Sequence, residues 1–228
     1  MVYMKNKKHI IFIGILISVS VIIGIVSMFI LPDIIPVHFG PDGSADRYGS
    51  KFEALIMPAV SLLMGIFLIV FGKISSKKDN DGKNNEKAMY ITLESVLSVL
   101  VAMNLYFLYA QYNNIENLYS LKINIGSLVL VLSGLLFIIT GNIMPKVKKN
   151  SVIGMRTPWT MKNDDVWKKS QRFSGFAFVI AGIIMVVCGF LVKGAAGLII
   201  LLSIIAVTII VSLIYTYRIS HETNNDNT

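Results

Sequence analysis

The sequence contains little cysteine and little charge, and both shortages narrow the class of protein. A single cysteine, Cys188, among 228 residues excludes an intramolecular disulfide framework. It lies inside an apolar run and is interpreted as a small lipid- or core-facing residue. Charged residues make up only 15% of the chain, against about 25% in average soluble domains. Hydrophobic residues make up 54%, and the mean hydropathy is +0.68, a balance that excludes an ordinary soluble domain.

Catalytic motifs are also missing from the sequence. There is no Gly-x-Ser-x-Gly, His-Glu-x-x-His or P-loop pattern. The three histidines are scattered along the chain, and no nucleophile is paired with a base. We therefore expect a protein that is not an enzyme and that binds no cofactor.

What the sequence does contain is a set of six long apolar runs. Crossing a bilayer takes about 20 such residues in a helix, and backbone groups in lipid must satisfy one another. The runs therefore predict an all-α membrane protein with six transmembrane helices. The predicted spans are residues 10–31, 54–72, 88–110, 123–141, 173–192 and 195–217.

Lysine and arginine are distributed unequally between the two sides of this arrangement. Seventeen of the 21 lie in the N-terminal tail, the connections 73–87 and 142–172, and the C-terminal tail. The positive-inside rule then places both termini in the cytoplasm. Because topology accounts for the net charge of +8, no binding of nucleic acid is needed to explain it.

The outer connection, residues 32–53, combines turn-forming residues with apolar residues that can pack. Gly40-Pro41-Asp42-Gly43 fits a turn, since proline sets φ and Gly43 tolerates positive φ. We expect an ordered outer loop that is not helical.

A metal site in this loop is the less favoured of two interpretations. A histidine with carboxylates can hold a divalent cation, but no helical spacing supports it, and a histidine hydrogen-bonded within the loop is favoured instead. The residues concerned are His38, Asp33, Asp42 and Asp46.

The inner connection, residues 142–172, is strongly basic and carries both tryptophans, Trp159 and Trp167. Thr160 or Asn163, followed by acidic residues, predicts a helix start near Asp164 that continues into the fifth span. Interfacial anchoring and contact with a partner both remain open for the tryptophans. The connections 73–87 and 111–122 are interpreted as ordinary linkers, the first of them mobile.

Glu94 lies within the third span, where an ionisable group is costly and is a functional candidate. The alternative is an acid near the interface, paired with a lysine such as Lys87. Asn104, further along the same span, can form a hydrogen bond between helices. A polar cavity reaching Glu94 would favour a small transporter or exporter, whereas a dry, closely packed bundle would favour a binding protein.

The six spans also divide into two sets of three. A proline follows the first helix of each set, at Pro32 and Pro145, and a long loop and two more helices come next. We therefore divide the chain at residues 1–122 and 123–228. Three helices per half give the halves opposite orientations, which is the pattern of an inverted repeat.

Two groups of residues carry a family resemblance. In the outer loop they are Pro36, His38, Phe39, Gly43 and Asp46. In the inner loop they are Asn150, Gly154, Arg156, Thr157, Pro158, Trp159 and Trp167. With both groups in a six-span frame, the chain resembles the SdpI-like immunity proteins of the sporulation-delaying toxin system. One departure is Gly40, because an asparagine often follows the aromatic residue in that family.

The resemblance implies a protein of the bacterial cell membrane that protects the cell against a secreted peptide toxin. It also implies a second role, in which a small transcriptional repressor is held at the membrane when toxin is bound. The outer-loop residues would then contact the toxin, and the inner-loop residues the repressor. Membrane lipid is the other expected partner, and the oligomeric state stays open.

Overall fold

Six helices dominate a computed structural model of the chain, which describes residues 7–78, 82–150 and 152–225. All six are long and apolar enough to cross a membrane, which confirms the predicted all-α, six-span architecture. The chain is therefore a multi-pass protein of the cell membrane. The helices are α1 (Lys7–Ile30), α2 (Ile56–Lys78), α3 (Gly82–Tyr112), α4 (Ile125–Ile143), α5 (Asp164–Leu191) and α6 (Ala196–Asn225).

The outward faces of these helices carry large apolar side chains. Phe29, Phe190 and Leu191 expose 84%, 78% and 75% of their surfaces. In water such exposure would cost about 25 cal/mol per Å² of apolar area, whereas lipid tails are as apolar as the side chains themselves. The exposed residues thus identify lipid as the solvent of the bundle.

The helix boundaries differ from the predicted spans where polar residues extend a helix beyond the apolar core. The predicted start of α5 is confirmed, because the Asn163 side chain accepts hydrogen bonds from the backbone N–H groups of Asp165 and Val166. The prediction of a mobile linker at 73–87 is wrong for its described backbone, since α2 continues to Lys78 and α3 begins at Gly82. Helix formation is cooperative, so an anchored helix extends readily into polar sequence.

The connection after α1 forms a β-hairpin that the sequence analysis did not predict. Strand β1 (Ile34–Phe39) pairs antiparallel with β2 (Ala45–Ser50), and a 3-10 turn (Lys51–Leu55) leads into α2. The expected turn is present, with a φ of +79° at Gly43. The loop is therefore ordered and not helical, as expected, but it has regular strand pairing. We call this side of the bundle the hairpin end, and the opposite side the basic end.

Helices α4 and α5 approach each other closely through glycines spaced seven residues apart on both helices. A Cβ at Gly182 would lie 2.5 Å from the carbonyl oxygen of Gly134, and one at Gly175 would lie 2.6 Å from that of Gly141. Only a hydrogen atom fits at such contacts. The seven-residue repeat keeps the contact on one face of each helix, and small residues let the backbones meet.

The two sets of three helices are joined mainly through α3. Helices α1, α2 and α3 pack on one another, as do α4, α5 and α6, while α3 also contacts α4 and the 3-10 turn (Met144–Lys146) that follows α4. The division at residue 122 and the inverted repeat remain predictions.

Replacing Gly182 with alanine should destabilise the bundle by about 1–3 kcal/mol, because the added methyl group would overlap the backbone of α4. The matched control is Gly14→Ala, since a Cβ at Gly14 meets no atom within 4 Å. That change should leave stability equal or slightly higher, as alanine is the better helix former. Thermal unfolding of the purified protein in detergent measures both, and equal melting temperatures for the two variants would contradict the close contact.

Candidate functional site

At the hairpin end, the β-hairpin docks onto the connection between α3 and α4, residues 113–124. The backbone N–H of Ala45 donates to the carbonyl of Glu116 at 2.7 Å, and that of Leu118 donates to the carbonyl of Gly43 at 2.9 Å. This connection was predicted to be an ordinary linker, and that prediction is wrong. Instead, its backbone pairs with residues 43–45 at the turn of the hairpin and fixes the position of the hairpin over the bundle.

Side chains of the same connection complete this docking. Asn117 Nδ2 donates to Ser44 Oγ at 3.0 Å, and the Tyr119 hydroxyl donates to the carbonyl of Pro41 at 3.1 Å. A Cβ at Gly43 would lie 2.6 Å from the Tyr119 ring. Gly43 is thus required both by its positive φ and by the ring packed against it.

The five outer-loop residues singled out in the sequence have four different environments. Pro36 is buried, and its carbonyl accepts a 3.4 Å hydrogen bond from Gln111 on α3. Phe39 lies beside Phe107 of α3, with ring centroids 6.4 Å apart. Gly43 forms the turn. Only His38 and Asp46 remain exposed, so they form the part of the motif that a partner can reach.

His38 and Asp46 form a short pair on the surface of the hairpin. His38 Nδ1 lies 2.5 Å from Asp46 Oδ1, and the two side chains are 62% and 52% exposed. The favoured interpretation, a histidine hydrogen-bonded within the loop, is confirmed. The pair presents a polar, ionisable group at the tip of a rigid hairpin.

The other two aspartates of the loop have separate local partners. Asp33 Oδ1 lies 2.8 Å from Lys51 Nζ, and this hydrogen bond and the opposite charge lower the pKa of Asp33 from its ordinary value. Asp42 accepts a hydrogen bond from the backbone N–H of Ser44. Within the described residues, no three His, Cys, Asp or Glu side chains come together as a metal site would require.

A cavity of about 130 Å³ lies beneath the hairpin, between α1, α2 and α3. Arg47 Nη1 and Glu53 Oε2 pair at 3.0 Å among its lining residues. At its inner end, Asn104 Nδ2 donates to Ser20 Oγ at 2.9 Å and to Ser61 Oγ at 3.1 Å. This buried junction ties the three helices together and confirms the expected hydrogen bond between helices at Asn104.

Glu94 lies on α3 toward the basic end and pairs with a residue of α1. His9 Nδ1 is 2.7 Å from Glu94 Oε1, and the His9 ring stacks on Tyr90 with centroids 5.7 Å apart. The alternative of an acid paired near the interface is therefore correct, with His9 as the partner in place of Lys87.

Apolar packing separates the Glu94 pair from the cavity under the hairpin. Glu94 and Asn104 are ten residues apart on α3, which is about 15 Å along a helix. Leu97 and Val101 lie between them and are 1% and 8% exposed, and Leu97 packs in a buried cluster with Ile13. Closely packed apolar side chains at this level favour a binding protein over a transporter.

At the basic end, the inner loop is folded around two buried amide side chains. Asn150 Oδ1 accepts hydrogen bonds from the backbone N–H groups of Val152 and Ile153 at 2.7 and 2.8 Å. Gln171 of α5 accepts from the N–H of Met155 at 3.0 Å and donates to its carbonyl at 3.1 Å. These amides satisfy loop backbone groups that have no strand partner.

Gly154, Thr157 and Trp167 also have structural roles in this loop. Gly154 has a φ of +107°, and a Cβ there would lie 2.7 Å from the Gln171 side chain. Thr157 and Thr160 bond each other's backbone and hydroxyl groups. Trp167 is 2% exposed and donates to the carbonyl of Val147 at 2.9 Å.

Trp159 packs against α6 rather than against the rest of the loop. Its Nε1 donates to Thr216 Oγ1 at 3.2 Å, and its ring meets the Tyr217 ring edge-on, with centroids 5.5 Å apart. Arg156 and Pro158 precede it in the loop and are exposed, and within the described residues Arg156 makes no ion pair. Arg156, Pro158 and the partly exposed Trp159 are the motif residues whose side chains a partner can reach.

The structure therefore separates each motif into residues that build a loop and residues that the loop presents. Sequence reasoning missed Asn117, Tyr119 and Gln171, which fix the loops, and it missed His9 as the partner of Glu94. The two motifs lie at opposite ends of the bundle, and α3 contacts both loops. At the hairpin end the contact is made by Gln111. At the basic end it is made by Asn85, whose side chain accepts a hydrogen bond from the backbone N–H of Lys148 at 2.9 Å.

These features define the chain as a multi-pass helical membrane protein with a folded loop at each end. Residues 146–216 match the SdpI/YfhL protein family, and residues 15–62 match a domain of unknown function, DUF1648. The first match covers most of the basic-end loop, α5 and most of α6, and the second covers the hairpin. Each match thus includes one of the two motifs.

Two curated proteins are similar to the chain. Immunity protein SdpI of Bacillus subtilis (strain 168) is 27% identical over 212 residues, which cover 93% of this chain and 95% of that protein. An uncharacterized protein of Archaeoglobus fulgidus is 51% identical over 41 residues, or 18% of this chain and 22% of that protein. No solved structure matches the chain. The chain is therefore similar to SdpI over nearly its whole length, and its C-terminal part matches the SdpI/YfhL family.

Cysteines at positions 44 and 117 should form a disulfide, because Ser44 and Asn117 are paired as an antiparallel bridge. Paired residues in such a bridge have Cα atoms about 4.5–5.5 Å apart, which suits a disulfide. The variant carries Ser44→Cys and Asn117→Cys with Cys188→Ser, and mild oxidation should change its mobility on a non-reducing gel. The control replaces Tyr48 instead of Ser44, four residues and roughly 13 Å further along β2. Equal oxidation of both pairs would contradict the docked loop.

Proposed function

We propose that this protein protects its cell against a secreted peptide toxin that is bound at the hairpin end. The observation that carries the proposal is the exposed His38–Asp46 pair on a hairpin that backbone hydrogen bonds to residues 113–124 hold over the bundle. Similarity over 93% of the chain to a protein named for immunity supports the same role. A rigid surface binds a peptide at a lower entropic cost than a mobile loop would.

The surroundings of the hairpin suit a peptide that is both polar and apolar. On the same hairpin and the turn that follows it, Ile34, Tyr48 and Phe52 expose large apolar surfaces. An amphipathic peptide arriving at the membrane can lay its apolar face on these side chains. Its charged groups can then meet His38, Asp46 and the nearby Arg47–Glu53 pair. In this proposal the toxin is intercepted at the membrane surface rather than transported.

Replacing His38 with alanine should reduce protection at least tenfold, because the variant loses the exposed polar contact without changing buried packing. The protein is expressed in a strain that lacks it and is sensitive to the peptide of the sporulation-delaying system, and survival is counted after exposure to that peptide. The matched control is Lys193→Ala, an exposed residue between α5 and α6 on the same side of the bundle.

Membrane fractions must contain equal amounts of both variants for the comparison to hold. Full protection by the His38→Ala variant would contradict the assignment of the hairpin as the toxin-binding surface. Equal survival of cells with and without the wild-type protein would remove the immunity function itself.

The proposal extends to the basic end, where we assign Arg156, Pro158 and Trp159 as the surface that holds a small transcriptional repressor when toxin is bound. Signalling of this kind needs two states with different affinity for the repressor. Helix α3 is suited to connect them because it contacts the hairpin through Gln111 and the inner loop through Asn85.

Replacing Arg156 with alanine should abolish recruitment of the repressor while leaving protection intact, since the residue is exposed and supports no part of the loop fold. A fluorescently labelled repressor is followed between cytosol and membrane after toxin is added. Lys162→Ala, which removes another exposed cation of the same loop, should behave as wild type. If both changes reduce recruitment alike, basic charge in general and not Arg156 attracts the repressor.

A further inference from the structure

An open groove of about 720 Å³ lies between α4, α5 and α6 at the basic end. It belongs neither to the hairpin nor to the surface formed by Arg156, Pro158 and Trp159. Its base is set by the close approach of the two backbones at Gly141 and Gly175. The groove begins where α5 passes from polar to apolar sequence, and its two ends differ in chemistry.

The polar end of the groove is cationic. Lys169 and Arg172 line it, three residues apart on one face of α5. Both side chains are exposed, and within the part of the chain that the structure describes neither forms an ion pair. The lining residues include no acidic side chain. Two positive charges therefore lie at one opening, and no acidic side chain lines the groove to offset them.

The other end of the groove is apolar. Phe176 and Val179 continue along α5 from Arg172 and form its wall. The ring of Phe173 stacks on that of Tyr215 with centroids 3.8 Å apart, which closes the groove between α5 and α6. Arg172 and Val179 are seven residues apart, or roughly 10 Å along the helix. That distance spans the passage from headgroup level into the hydrocarbon.

We propose that this groove binds one anionic phospholipid. Its phosphate lies between Lys169 and Arg172, which can donate charge-assisted hydrogen bonds to it. One acyl chain runs along Phe176 and Val179. A basic opening above an apolar wall, between transmembrane helices, matches both parts of such a lipid. A free phosphate would leave the wall unused, and a zwitterionic lipid would bring a cation to a site that is already positive.

The bound lipid also restrains the inner loop. Arg172 directly follows Gln171, whose side chain holds Met155 by two hydrogen bonds. A phosphate fixed on Arg172 limits the motion of this turn of α5, and with it the loop that presents Arg156. The lipid therefore acts as a structural component of the basic end.

The test uses the purified full-length protein in detergent and counts bound lipid by native mass spectrometry. Phosphatidylglycerol and phosphatidylcholine with identical acyl chains are compared, and inorganic phosphate serves as the probe without chains. The wild-type protein should retain phosphatidylglycerol about tenfold better than phosphatidylcholine, as expected for two cations near one phosphate. It should retain no inorganic phosphate.

The double variant Lys169→Gln, Arg172→Gln should lose this preference, and the matched double variant Lys162→Gln, Lys168→Gln should keep it. Thermal unfolding without added lipid first checks that both pairs are equally folded. A third variant, Phe176→Ala, should weaken phosphatidylglycerol binding severalfold with both cations in place, which separates a groove from simple charge.

Three results would overturn the proposal. One is equal retention of the two lipids by the wild-type protein, and another is an equal loss in both double variants, which indicates diffuse attraction to basic residues. The third is binding of inorganic phosphate as tight as that of the lipid, which identifies a phosphate site in place of a lipid site.

Discussion

Lipid around the six helices is the constraint from which the rest of this structure follows. Every backbone N–H and C=O in the hydrocarbon must be satisfied within its own helix, and burying apolar side chains between helices gains little when lipid tails are equally apolar. Cohesion must come from close contact and from a few buried polar groups. The two halves of the chain solve this differently. Glycines let α4 and α5 meet backbone to backbone, whereas Asn104 ties α1, α2 and α3 through two serine hydroxyls.

The folded loops are also constrained by the need of buried backbone groups for hydrogen-bond partners. Outside the hydrocarbon, the chain is free to form irregular structure, but buried backbone groups still need partners. Residues 113–124 supply them for the hairpin, and the Asn150 and Gln171 side chains supply them for the basic-end loop. Each loop thereby holds a few side chains in fixed positions on its surface. Helix α3 contacts both loops, so a change at one end has a physical route to the other.

Several features could be read from residue pattern because they depend on local composition. The six spans follow from apolar run length, the start of α5 from Asn163 and the two acidic residues after it, and the Gly43 turn from the proline and glycine around it. The partner of Glu94 could not be read in this way, because His9 lies 85 residues away and nothing in either neighbourhood indicates the other. The glycine contact did carry a signal, the seven-residue spacing of Gly175, Gly182 and Gly189, but spacing alone does not identify the facing helix.

The sequence by itself determined that the chain is a membrane protein, how many times it crosses the bilayer, and which short motifs carry its family resemblance. These properties are sums over neighbouring residues, so no long-range contact is needed to fix them. Only the tertiary structure decided which motif residues build a loop and which are presented by it. Pro36 and Trp167 are buried while His38 and Arg156 are exposed, because burial depends on what distant segments pack against, and a linear pattern does not contain that information.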